Sequence, residues 1–297
     1  MQNFIMRLYR AWAPQAVLLL VMFSLAGCSL TRFGYNHGEM LSYWWLNSYA
    51  NISSDQRPWV KQRITRLFAW HRSTQLRDYA HLLALAQNHL QHNTGKNELL
   101  ADFDEMRKRA AVALDKALPD LADLALSLKP AQIAQIERKF AANNEAYRKD
   151  YMRGSLEQRQ LFRFKKVLEQ AEYWFGAFSY EQTVLIRRAS DARPLNHELL
   201  LRDRQYRQRQ MIAMLRKIQA ERPSREATMQ MLKGYAQTMF EHAGGGEHEQ
   251  VFNASKDATA AMVVAIINCT TPTQKAHAAK RLQQWIDSFN ALAAQRS

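Results

Sequence analysis

The stretch Glu241-His242-Ala243-Gly244-Gly245-Gly246-Glu247-His248-Glu249 places two imidazoles and three carboxylates around a triglycine. These are ligand types that zinc or nickel accepts. A catalytic zinc site, however, usually draws paired ligands from one regular element, as His-Glu-x-x-His does on a helix. Three glycines preset no such geometry, so the expectation here is a helix break, with Glu247 and Glu249 opposing the positive end of the next helix dipole. His89 and His92 share a helix face, with His81 two turns earlier; beside Asn93-Thr94-Gly95 they suit a solvated helix end better than a ligand set. His71 continues the apolar stripe of Val60, Ile64 and Leu67, the place of a hydrogen-bonded core histidine. No Ser-His-Asp order, phosphate-cradling glycine loop or metalloprotease helix is present in the sequence. The expectation is a non-enzymatic protein with no catalytic residue, no cofactor and no metal site. The alternative is a hydrolase, metal-dependent or acting on peptidoglycan, that uses the Glu241 to Glu249 loop or a carboxylate pair assembled by the fold.

Cys28 offers different chemistry. Upstream of it lie Arg7 and Arg10, then an apolar run from Ala16 to Ala26, then small residues. A run of about 11 apolar residues is short of the roughly 20 that a spanning helix needs, and the order basic, apolar, small is that of an export signal. Leu25-Ala26-Gly27-Cys28 resembles the bacterial lipobox, and the resemblance implies cleavage before Cys28 and a diacylglycerol on its sulfur. The chain is therefore expected to divide into a signal peptide at 1–27, a lipid-anchored linker at 28–36 and a single all-helical domain at 37–297. Membrane attachment would run through the lipid on Cys28, facing the periplasm. Ser29 is not the Asp that favours inner-membrane retention, so the outer membrane is the expected location. Cys269 would then be the only free thiol, buried and inert.

Loss of residues 1–27 removes two arginines and no acid, taking the formal net charge from +14 to +12. Such a balance suits nucleic acid, yet an exported protein meets other anions. Anionic lipid, peptidoglycan carboxylates and acidic envelope proteins are the partners to expect, and no nucleic acid. Arg202, Arg209 and Arg216 form a ridge at spacing seven, beside apolar Leu201, Ile212, Leu215 and Ile218. That pattern fits either a bundle helix with a charged outer face or a helix lying on an anionic membrane surface. Met211, Met214, Met229, Met231 and Met239 cluster nearby, as core filler or as an adaptable binding surface.

Apolar residues recur at spacings of three and four throughout the remainder, while strand-like alternation is nearly absent. Leu161, Phe164, Leu168, Ala171, Phe175 and Phe178 make one helical face, with Arg159, Arg163 and Lys166 as a polar stripe beside it. Ile133, Ile136, Phe140, Asn144, Tyr147 and Tyr151 make another, in which Asn144 can fix register. The fold class follows: an all-α, extended multi-helix bundle. Expected helices run from about 37 to 49, 54 to 91, 97 to 128 with a kink or restart at Pro119, 130 to 152, 156 to 175, 180 to 189, 194 to 221, 225 to 242, 247 to 268 and 272 to 294. The segment from Ala258 to Ile267 is apolar on all sides and reads as a buried central helix.

Four helix starts share one grammar: Ser53, Ser155, Ser179 and Thr271 each stand three residues before Gln56, Gln158, Gln182 and Gln274. The hydroxyl can accept the third helical amide while the glutamine reaches back to the cap amide. At Lys129-Pro130-Ala131-Gln132 the hydroxyl is missing and the motif is degenerate. The lipobox, the aromatic segment Tyr35-Asn36 and Tyr43-Trp44-Trp45, and the following Ser-x-x-Gln start together resemble a lipoprotein family of unknown function from Gram-negative bacteria. That resemblance implies an all-helical envelope protein and no particular activity. The recurring starts also resemble the LTxxQ signature of periplasmic chaperones of the Spy type, although Ile52, Leu128 and Phe178 hold the leucine position and Thr occurs only at 271. Capping chemistry alone explains the same pattern. The function these readings converge on is that of a lipid-anchored binding, scaffold or chaperone-like envelope protein, with surface binding to anionic membranes as a further alternative.

Overall fold

The computed structural model describes residues 31–295 apart from 91, 93, 195 and 242–246. Cys28 and the signal-like segment lie outside the described residues, as does the triglycine of the Glu241 to Glu249 stretch. Among the described residues there are helices and no strands: α1 Gly38–Ala50, α2 Arg57–Thr74, α3 Leu76–His89, α4 Lys96–Ser127, α5 Pro130–Tyr151, α6 Leu156–Phe175, α7 Tyr180–Asp191, α8 His197–Glu221, α9 Arg225–Glu241, α10 Glu247–Cys269 and α11 Pro272–Ala294. The protein is an all-α multi-helix bundle.

Two departures from the periodicity are informative. The expected helix from 54 to 91 is two helices parted at Gln75. Ser73 and Thr74 both donate their hydroxyls to the Trp70 carbonyl, at 3.1 and 2.7 Å, and back-bonding of this kind loosens and bends a helix. Conversely, α4 runs unbroken through Pro119. Leu118, Ala122, Leu124 and Ala125 are buried around that proline, so packing on both sides holds a helix that the ring alone would interrupt.

Buried apolar side chains gather into two clusters. One joins Tyr43 and Ala50 of α1, Val60 of α2, Leu124 and Ala125 of α4, Ile133 and Ile136 of α5, and Ile212, Leu215 and Ile218 of α8. The other joins Leu90, Ala171 and Phe175 of α6, Ile186 of α7, Met262, Ile266 and Ile267 of α10, and Ala278 and Leu282 of α11. The segment from Ala258 to Ile267 is only half enclosed: Ala260 and Met262 are buried, while Ala261 and Ala265 are exposed. Small residues on the outer face make an all-apolar sequence compatible with a one-sided contact. Met211, Met214 and Met231 pack against the first cluster as filler. Asn144 is buried and exchanges bonds with Gln208 of α8, at 2.7 and 3.3 Å, which fixes α5 against α8.

Each cluster is roofed by a pair of the capping glutamines. In α6, α7 and α11 both arms of the capping box form, with Ser155, Ser179 and Thr271 accepting from Gln158, Gln182 and Gln274 at 3.2 Å. At Ser53 and Lys129 only the glutamine arm survives. Contrary to expectation the Ser53 hydroxyl accepts no helical amide, because α2 starts only at Arg57; it donates instead to Gln56 Oε1, which also accepts the Ser53 amide, both at 3.0 Å. Gln132 Oε1 accepts the Lys129 amide at 3.0 Å. Because Oε1 is committed to its own cap, each Nε2 points outward, and it reaches a second limb. Gln132 Nε2 donates to Gln56 Oε1 at 2.8 Å and to the Ala50 carbonyl at 3.0 Å, and Gln56 Nε2 donates to the Ser127 carbonyl at 3.1 Å. The second pair repeats this: Gln182 Nε2 donates to Gln274 Oε1 at 2.8 Å and the Cys269 carbonyl at 2.7 Å, and Gln274 Nε2 donates to the Ala177 carbonyl at 2.7 Å. Gln56, Gln132, Gln182 and Gln274 thus each accept an amide three residues back and satisfy a carbonyl at or just beyond the end of the helix that precedes their partner, while Gln158 serves only its own cap among the described residues. One clasp ties α1, α2, α4 and α5; the other ties α6, α7, α10 and α11. Gly176, at φ 79°, gives the sharp exit from α6 that delivers the Ala177 carbonyl.

Candidate functional site

The ends of α3 and α7, the start of α4 and the faces of α6, α10 and α11 enclose a cavity of about 540 Å³, inside the range of small-molecule sites. Its walls are apolar: Leu90 and Ala86 from the α3 end, Val167 and Phe175 from α6, Val263 and Ile266 from α10. Of the α6 stripe predicted from spacing only Ala171 and Phe175 line it, beside Val167 and Trp174, and Leu282 from α11 closes another wall. Trp174 is held in place because His277 Nδ1 bonds its carbonyl at 2.8 Å. A much smaller recess of about 80 Å³ lies by Trp59, Val60 and Ile64 and has no comparable room.

Polar groups share the lining, among them the buried Thr94. Arg163, Lys166 and Arg193 belong to it together with His89, Asp102 and Gln170. Arg163 spends its terminal nitrogens on the carbonyls of Ser190, Arg193 and Pro194 at 2.9, 3.1 and 3.2 Å, where the chain leaves α7. This anchors the loop that carries Arg193. Burial lowers the proton affinity of both guanidiniums from their ordinary value, and the neighbouring Arg163 charge lowers that of Arg193 further, although arginine stays charged at any physiological pH. The Nε of each is buried without a hydrogen-bond partner. Lys166 reaches Glu169 at 3.0 Å, and His89 Nδ1 lies 3.4 Å from Asp102 Oδ2, an ion pair only when the imidazole is protonated.

The sequence-predicted chemistry is scattered by comparison. His81 and His92 are exposed, as expected of a helix end, and only His89 of the three faces the cavity. His71 is half buried and bonds Tyr35 Oη through Nδ1 at 2.9 Å, with burial holding its pKa below the ordinary imidazole value. Among the described residues no three of His, Cys, Asp and Glu come together as a metal site. Arg202, Arg209 and Arg216 are exposed, and Arg216 pairs with Glu137 at 2.6 Å. Cys269 is half buried rather than buried, its thiol donating to the Ile266 carbonyl and its pKa raised by burial. Arg163 and Lys166 stood out in the sequence only as a polar stripe, and Arg193 gave no periodic signal; the one available sign was three basic residues, Arg187, Arg188 and Arg193, close to an apolar helix face.

A second surface feature lies on α1. Met40, Leu41, Trp44 and Trp45 are all exposed, the two tryptophans at 62 % and 64 %, and their spacing puts them on one side of the helix; Phe33, in the helical segment that ends in the turn at His37, is exposed as well. Aromatic rings of this kind favour a membrane–water interface. No helix among the described residues is long and apolar enough to cross a membrane.

Fold and cavity together define an all-helical protein with a largely apolar recess between α3, α4, α6, α10 and α11. Residues 48–237 match a family of unknown function (DUF6279), more than half of the chain, and the protein belongs to that family. No curated protein and no solved structure matches it.

Proposed function

We propose that this is a non-enzymatic binding protein of the bacterial cell envelope, held at the membrane by a lipid on Cys28, which takes an apolar ligand into the cavity beside α6 and α10. The observation that carries the reading is the cavity itself: roughly 540 Å³ of largely apolar space, with Arg163, Lys166 and Arg193 outnumbering the one carboxylate, Asp102, in its lining. Such a lining supplies affinity by removing apolar area from water, at about 25 cal/mol per Å². It offers no nucleophile paired with a base.

The neutral dye N-phenyl-1-naphthylamine, which fluoresces when shielded from water, tests binding on the purified full chain. Saturable fluorescence is expected, and Ala86→Phe, which fills the mouth, should remove it. A folded protein that binds no dye would refute cavity binding.

The exposed aromatic face of α1 supports the membrane part of the reading, because it lies just after Cys28 in sequence. Palmitate labelling is expected in the wild type and lost in Cys28→Ser; labelling that persists would overturn the anchor. In a Cys28→Ser background, Trp44→Ser with Trp45→Ser is expected to reduce sedimentation with anionic vesicles several-fold. Equal sedimentation would remove α1 as a membrane contact.

A further inference from the structure

We infer that the ligand of this cavity is a long-chain carboxylate, a free fatty acid whose chain fills the apolar interior and whose head group sits on Arg193. The inference rests on the cavity-binding reading and names its ligand class.

Charge at the mouth carries the first step. Arg193 and Arg163 lie side by side, and Arg163 is already spent on three backbone carbonyls. Arg193 has no hydrogen-bond or ion-pair partner among the described residues, and its Nε is shut off from solvent. None of the nearby carboxylates pairs with Arg193: Asp191 Oδ2 holds Arg187 at 2.5 Å, Asp102 lies beside His89 and Glu169 holds Lys166. A half-enclosed guanidinium without an acceptor leaves a charge only partly solvated. An arriving carboxylate satisfies it with two parallel N–H···O bonds, the geometry that arginine offers and lysine does not.

Volume carries the second step. About 540 Å³ of largely apolar space is on the scale of a single long acyl chain, at roughly 30 Å³ per methylene-sized group. Ala171 and Ala278, small residues on facing helices α6 and α11, leave the space open where larger side chains would close it.

Displacement of N-phenyl-1-naphthylamine from the full-length chain provides the test, with palmitate, hexadecanol and lysophosphatidylethanolamine as competitors. The chain carrying Cys28→Ser is run in parallel, so that no acyl group of its own can occupy the site. Palmitate is expected to displace the dye at least tenfold more effectively than hexadecanol. Arg193→Gln should weaken palmitate at least tenfold more than it weakens hexadecanol, each competition being referred to that variant's own dye affinity, and Lys166→Gln, at the exposed rim, should weaken palmitate less. Circular dichroism melts of both variants show whether they fold, and Arg193→Lys, which keeps charge but not the fork, should recover only part of the affinity. Equal competition by palmitate and hexadecanol, or an Arg193→Gln protein that binds palmitate normally, overturns the fatty-acid assignment while cavity binding stands. Stronger displacement by lysophosphatidylethanolamine than by palmitate overturns the carboxylate head group. Absence of dye binding in both chains removes the cavity reading and this inference together.

Discussion

A glutamine that caps one helix and clasps another combines two energies in one side chain. Gln56 and Gln132 are 3 % and 6 % exposed, so loss of either leaves buried backbone groups without partners, each worth about 1–3 kcal/mol. Gln132→Leu is expected to cost about 2–4 kcal/mol in urea denaturation. Gln56→Leu with Gln132→Leu should cost clearly less than the sum of the single changes, since the two share bonds; an additive cycle would show that the cross-pair contributes nothing. Two Tyr–His pairs add a pH dependence. His71 bonds Tyr35 and His197 bonds Tyr147, at 2.9 and 2.8 Å, and burial holds both imidazoles below their ordinary value. The folded protein therefore binds fewer protons than the unfolded chain once the pH drops below about 6.5. Stability is fully present above that pH and falls as acid protonates the unfolded histidines. Thermal midpoints should decline below pH 6.5, and His71→Gln with His197→Gln should flatten that decline.

At the scale of elements, most of the secondary structure could be read from spacing and caps. α6 and α11 begin and end where Ser155, Phe175, Thr271 and Ala294 indicate, because a cap and an amphipathic face are both local properties. The Gln75 break escaped because it arises from two hydroxyls competing for one carbonyl, which no apolar period records. Pro119 misled in the other direction, since tertiary packing outweighs the amide it lacks. Its i−4 carbonyl still goes without an intrahelical bond, so Pro119→Ala is expected to stabilise the protein by about 1–2 kcal/mol, visible as a raised thermal midpoint. An unchanged or lower midpoint would mean that α4 is shaped to need the ring. The clasps were half legible: each Ser/Thr-x-x-Gln start was plain, but the partners stand 76 and 92 residues apart, and no interval in the sequence pairs them. Neither was the cavity, since its walls come from five helices and its mouth from a loop.

At the scale of the whole molecule, the described residues form two apolar clusters, each with its own clasp, joined by helices that run between them. α3 packs along α11, and Arg109 of α4 grips Asp78 of α3 through two bonds of 2.6 and 3.1 Å. This layout predicts graded stability. In hydrogen exchange, Gln132→Leu should lower protection in α1, α2 and α5 well before α10 and α11; uniform loss would mean that the clusters unfold as one.

The clasps carry a further consequence, for how the sequence can vary. In each, one limb contacts the other as the other contacts it, the reciprocity found at the interface of a two-fold symmetric dimer. In a dimer of identical chains a substitution necessarily alters both limbs at once. Here both limbs belong to a single polypeptide, so each can drift while its counterpart stays fixed. Lys129 shows the latitude this gives: it stands where the other limbs carry Ser53, Ser179 and Thr271, yet Gln132 still closes on Gln56. In descendants of this chain, divergence is thus tolerated at the hydroxyl of any one limb, while the four clasping glutamines at 56, 132, 182 and 274 are where it is resisted.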